Sequence, residues 1–180
     1  MLIERAGSSG IAFTGTAASP AQPAWVDVVA TMLELAYAGR AVCLIVPDVD
    51  DSRWDLDLRE MYPDCENWRV REYGYLCAFD PCVRSETLRA IAKSQDFYLG
   101  PIWFATLPRD DRQRWIDLME AMFNSHFLAT WPETSEEVFC SNPDGDWMYW
   151  LNPSRPEAAI VDELRRLAHV HGWDFVVRPS

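Results

Sequence analysis

The chain reads as an α+β protein: a single domain over residues 1–180, with a mixed, mostly antiparallel sheet and about four packed helices. Three observations predict this. Short apolar runs of strand length alternate with segments whose apolar residues recur every three to four positions. Asn142-Pro-Asp-Gly145 is a hairpin turn sequence, which favours antiparallel neighbours. No low-complexity tract or linker divides the 180 residues, a length that fits one hydrophobic core.

The opening stretch, GSSGIAFTGTAASPAQP, is small and polar. Leu2-Ile3 and Ile11–Phe13 can each form a short strand, and residues 1–22 are expected to be a loosely held N-terminal arm or hairpin. Trp25, Val28, Val29, Met32, Leu33 and Ala36 then recur at helical spacing, predicting a helix over about 24–38 that Gly39 closes in a left-handed conformation. Ala41–Val46 (AVCLIV) reads as a buried strand stopped by Pro47. Trp68–Phe79 is aromatic and partly alternating, so it predicts one strand or two broken at Gly74.

Asp80-Pro81 is a helix start, with Leu88 and Ile91 on the inner face of a helix over 81–94. Phe97–Thr106 is a strand, with Gly100-Pro101 implying a bulge or an edge. Pro108 opens a helix over 108–123, striped by Trp115, Leu118, Met119, Met122 and Phe123. Strands follow at 126–131, 138–141 and 147–151. Trp147 and Trp150, three apart, fall on opposite faces of the last. Ser154 and Glu157 form a capping box for a helix over 155–171, with Pro156 in its first turn. Ile160, Leu164, Leu167 and Ala168 face inward, Gly172 ends the helix, and Trp173–Val177 closes the sheet. YLCAFDP-helix-QDFYL and MYWLNP-helix-WDFVV share a pattern of strand, Asx-Pro, helix and strand.

The net charge is −12, which repels phosphate and anionic lipid and argues against direct nucleic-acid or membrane partners. Half of it lies in residues 48–66, DVDDSRWDLDLREMYPDCE, where eight acids face only Arg53 and Arg59 for a net −6. Trp54, Leu56, Leu58, Met61 and Tyr62 are interleaved with them. Aromatic anchors within a charged rim are a pattern of tight protein interfaces. Asp50, Asp51, Trp54, Asp55, Asp57 and Glu60 are the expected partner-binding residues, and a basic protein surface is the expected partner.

Catalytic and metal motifs find little support. Asp50-Asp51-Ser-Arg-Trp-Asp55 superficially resembles the aspartate-rich magnesium motif of isoprenoid synthases. It lacks the basic companion site for a diphosphate, and the chain is too short and strand-rich for those helical bundles. Cys77 and Cys82 have no second pair to complete a zinc site. His126, Cys140 and Asp144 or Asp146 make a triad in composition only, without an oxyanion loop. His169 and His171 sit where a cation complements a helix C-terminus. The five cysteines, an odd number, and a start without a basic-plus-apolar leader predict free thiols in a reducing cytoplasm. No catalytic residue, metal or cofactor is expected, and the chain is read as a non-enzyme.

Size, acidity, tryptophan content and the DGDWMYWLNP strand-into-helix close resemble the immunity proteins of bacterial polymorphic and contact-dependent toxin systems. The likeness is one of class and carries no site residues. It implies a cytoplasmic protein that covers the basic active-site surface of a cognate toxin domain. The alternatives are an enzyme whose site is spread over loops, or an acidic inhibitor that mimics nucleic acid.

Overall fold

A computed structural model describes residues 1–6, 10–15, 23–47, 65–70, 74–79, 82–93, 103–106, 113–114, 117, 136–141 and 147–178. The N-terminal segment is built into the centre of one half of the sheet. Strands β1 (Leu2–Ala6) and β2 (Gly10–Thr14) form an antiparallel hairpin, and Met1, Ile3 and Phe13 are almost completely buried. This corrects the expectation of a loose arm for residues 1–6 and 10–15. Ile3 and Phe13 are paired neighbours, and burying two such side chains repays the ordering of a short hairpin. The rest of 1–22 lies outside the described residues.

Helix α1 (Pro23–Tyr37) buries the predicted stripe, and Gly39 ends it at φ +75°, a backbone conformation that favours glycine. Strands β3 (Val42–Pro47), β4 (Glu66–Val70) and β5 (Gly74–Phe79) follow, then helix α2 (Ser85–Lys93) and strand β6 (Trp103–Thr106). Strands β7 (Val138–Ser141) and β8 (Trp147–Leu151), helix α3 (Glu157–Val170) and strand β9 (Val176–Val177) complete the order.

Nine strands make one sheet in the order β4-β5-β3-β6-β7-β8-β2-β1-β9, and every neighbouring pair is antiparallel except β1 with β9. The α+β class and the mostly antiparallel sheet are as the sequence predicts. The helix number is not: three helices stand among the described residues, against about four expected. Of the expected helix over 108–123, only Gln113, Arg114 and Asp117 are described, each helical.

Three connections are β-α-β crossovers. α1 carries the chain from β2 to β3 past β8, β7 and β6. α2 links β5 to β6 past β3, and α3 links β8 to β9 past β2 and β1. In each case the joined strands run parallel. The first crossover runs against the other two in both strand direction and lateral sense, so the right-handed rule places all three helices on one face. The core agrees. Residues of α1, α2 and α3 share one cluster with Ile3, Phe13, Leu44, Cys77, Phe139, Met148 and Trp150. Phe13 meets Trp25 and Phe139 edge-on at 6.0 Å, and Phe139 meets Trp150 at 5.9 Å. The cross-strand row on the other face, Cys43, Ala105 and Val138, is outside that cluster yet also buried.

The two strand-Asx-Pro-helix-strand units correspond to the α2 and α3 crossovers. Both helices start later than the sequence suggests. α2 begins at Ser85, not at the Asp80-Pro81 signal. α3 begins at Glu157, with Pro156 as the N-cap residue and no side-chain cap bond.

Candidate functional site

Asp50, Asp51, Trp54, Asp55, Asp57 and Glu60 lie outside the described residues. The points where their segment joins the fold are described. The chain leaves the sheet at Pro47, the end of β3, and re-enters at Glu66, the start of β4. β4 is an edge strand that pairs with β5 alone, and β5 separates it from β3. The acidic segment is therefore the connection at the β4 end of the sheet. Cys65, half-buried, is its described C-terminal neighbour.

Among the described residues the densest polar arrangement lies elsewhere, around Glu137. This residue precedes β7 and is only 4% exposed. Its Oε1 accepts from Trp150 Nε1 at 2.8 Å, from the Ser154 backbone N–H at 3.0 Å and from Ser154 Oγ at 3.3 Å. Its Oε2 accepts from Arg40, and the same Arg40 nitrogen donates to the Ala36 carbonyl at 2.8 Å and to Ser154 Oγ at 3.1 Å. The Glu137 carbonyl accepts from Tyr37 Oη and from the Thr106 N–H, both at 3.1 Å. Burial, and then the Glu137 charge, push the Tyr37 phenol well above its ordinary range, so it stays a donor.

Sequence explains how the pieces meet. Tyr37 closes α1 and Arg40 follows the Gly39 turn. Trp150 and Glu137 come from adjacent strands, and Ser154 lies in the connection to α3. Asn152 enters that connection at φ +46° and donates to the Glu136 carbonyl at 3.1 Å, a left-handed position that asparagine tolerates. Ser154 thus bonds Glu137 instead of capping α3, which is why the predicted capping box is absent. Sequence reasoning missed the cluster. Its one signal is the acid abutting the apolar run in Glu137-Val-Phe-Cys140. Chemically the arrangement is closed: both carboxylate oxygens are held by donors of the fold itself. It joins α1, β7, β8 and the approach to α3.

The remaining candidates are separated by the fold. Cys77 is buried while Cys82 is exposed. The Cys77 thiol instead meets Cys65 by a side-chain hydrogen bond, and that bond, with burial, raises it well above the usual thiol range. Cys140 is buried with its thiol pushed up to about 12 by desolvation, the reverse of what a nucleophile needs. His126, Asp144 and Asp146 lie outside the described residues. His169 is exposed at the end of α3, and His171 lies 3.1 Å from Asp27 with its ring 5.3 Å from that of Trp173. Trp147 and Trp150 do face opposite ways: Trp150 is in the helix-side core, while Trp147 stacks on Tyr149 at 6.4 Å. Among the described residues no group of three or more His, Cys, Asp or Glu is placed to hold a metal ion. None of the described helices is long and apolar enough to cross a membrane.

No protein-family model, curated protein or solved structure matches the chain.

Proposed function

We propose that the protein is an acidic binding protein of the bacterial cytoplasm, an immunity protein that neutralises a cognate toxin by covering its basic active-site surface. One observation carries the reading: residues 48–66 concentrate half of the net charge around Trp54 and Tyr62. Supporting it, the segment connects β3, which ends at Pro47, to the edge strand β4, which starts at Glu66. The Glu137 cluster, the densest polar arrangement among the described residues, is held by internal bonds. In this reading Asp50, Asp51, Asp55, Asp57 and Glu60 steer a basic surface toward the segment, and Trp54 anchors it.

The test is capture of the partner from the native host, followed by binding kinetics at low and high salt. Replacing Asp50, Asp51, Asp55 and Asp57 with Asn should slow association and flatten its salt dependence. Trp54→Ala should speed dissociation about tenfold or more, the effect of losing a hot spot of about 2 kcal/mol. Wild-type rates for both variants at low salt would remove the segment from the interface and the reading with it.

A further inference from the structure

Among the described residues, no strand pairs with the outer side of β9, at the other edge of the sheet. Among the described residues the exposed large hydrophobics are Val170, at 61%, and Val176 and Val177, both at 50%. Two of these three form β9, the edge strand. An uncovered apolar edge is a template for another strand, and soluble proteins normally blunt or pair it.

The hydrogen bonds fix which backbone groups are available. The Met1 amino group donates to the Asp174 carbonyl, Val176 N–H donates to the Met1 carbonyl at 2.9 Å, and Arg178 N–H to the Ile3 carbonyl at 2.8 Å. Residues 174, 176 and 178 thus turn their polar groups toward β1. In an extended strand alternate residues point oppositely, so Phe175 and Val177 present their N–H and C=O outward.

This phase limits how a second strand can add. An antiparallel partner identical to β9 must set 175 and 177 against one another. If Phe175 pairs with Val177 of the second copy, and Val177 with its Phe175, both pairs exchange two bonds, four in all. Val176 then meets its own counterpart on a two-fold axis. In this register Asp174 lies opposite Arg178 of the second copy, twice. Shifting by two residues either way keeps the phase but separates the charges. Asp174 and Arg178 are exposed, and Arg178 makes a 3.4 Å ion pair to Glu4, itself partly exposed. The segment Asp-Phe-Val-Val-Arg is therefore its own complement: acid at one end, base at the other, apolar residues between.

We infer that β9 is a homodimerisation edge, at which two copies of this chain join antiparallel about Val176 to continue the sheet across a two-fold axis. The contact is isologous and closes on itself. It is short, below the area of a standard interface, so association should fall in the micromolar to millimolar range.

Sedimentation equilibrium of the full chain, from about 10 μM to about 1 mM, tests this. The wild type should show a monomer–dimer equilibrium. Asp174→Arg places like charges opposite each other twice and should weaken the dimer about fivefold or more. The double exchange Asp174→Arg with Arg178→Asp restores complementarity and should recover it. Val177→Pro removes an outward donor while leaving the bonds to β1, and should weaken the dimer about tenfold or more. Thermal unfolding of each variant identifies any that fail to fold, and the double exchange does not depend on Val177→Pro. A monomeric wild type throughout the range overturns the proposal. So does a dimer that neither Asp174→Arg nor a folded Val177→Pro weakens, or one that the double exchange does not rescue.

Discussion

Replacing Glu137 with Ala should destabilise the fold by about 3 kcal/mol, because a buried donor would lose its acceptor. Trp150 is fully buried, and its indole N–H bonds Glu137 Oε1 at 2.8 Å. Leaving that donor unpaired costs about 1–3 kcal/mol. The Ser154 N–H and hydroxyl also lose an acceptor, but their part-buried setting lets water substitute, for about 0.5–1.5 kcal/mol together. The Arg40 side chain is 35% exposed and can return to solvent, so the ion pair itself adds only about 0–1 kcal/mol. For a chain of this length about 3 kcal/mol corresponds to a fall in Tm of about 6–12 °C. Urea unfolding followed by far-UV circular dichroism measures it. Glu137→Gln keeps one oxygen for Trp150 and Ser154 and should cost less than the alanine variant. Arg40→Ala should cost less again. A Glu137→Ala change below about 0.5 kcal/mol would refute the reasoning. Equal losses for Arg40→Ala and Glu137→Ala would place the energy in the ion pair and not in the orphaned indole.

Three further predictions follow from burial and packing. A thiol reagent on the native protein should label the exposed Cys82 first, with buried Cys43, Cys77 and Cys140 protected until unfolding; a Cys82→Ser variant that keeps the fast phase would contradict this. Cys140 ionises near 9.0 when unfolded, but burial pushes it up to about 12 in the fold. Its stabilising contribution is therefore complete below pH 9 and lost as pH rises toward 12, and Cys140→Ala should flatten the fall of stability over that window by about 1.4 kcal/mol per pH unit; parallel pH profiles would count against it. Gly10→Ala should cost about 1–3 kcal/mol, since a Cβ there would sit 2.5 Å from the Ala6 carbonyl and 2.7 Å from a Leu151 methyl, whereas at Gly15 the nearest atom is 3.4 Å away; equal stabilities of the two alanine variants, measured by urea unfolding, would show that the hairpin yields.

What was legible in the sequence was local. The α1 stripe from Trp25 to Ala36, the glycine after it and the AVCLIV strand each write their structure within a dozen residues, whereas Gly74, read as a strand break, is the first residue of β5 and pairs with Val70 and Pro47. Sheet order is not written that way. Ile11 pairs with Trp150, and nothing near either residue names the other, so the sequence alone leaves residues 1–22 as a loosely held hairpin or arm. The Glu137 cluster was hidden for a related reason: its donors come from four separate stretches, and Ser154 was already explained by a local cap that tertiary bonding overrides. Trp173–Val177 reads as a closing strand, and its Val176–Val177 part forms β9 at the sheet edge. The acidic segment is legible as chemistry, and the described residues show only the ends of the strands it connects, Pro47 and Glu66.

The position of the N-terminal hairpin has a consequence for how the chain is made. β1 and β2 leave the ribosome before the other described strands, yet their neighbours in the sheet, β9 and β8, come from beyond residue 146. Until then Ile11 and Phe13 have no sheet partner beyond the hairpin, and an isolated two-stranded hairpin is marginal in water. Such long-range pairing slows folding and lengthens the exposure of apolar strands. Stalled translation before β8 should leave a nascent chain that chaperones hold and proteases cut within its first residues, while the β3-β4-β5 unit, whose partners are close in sequence, forms early.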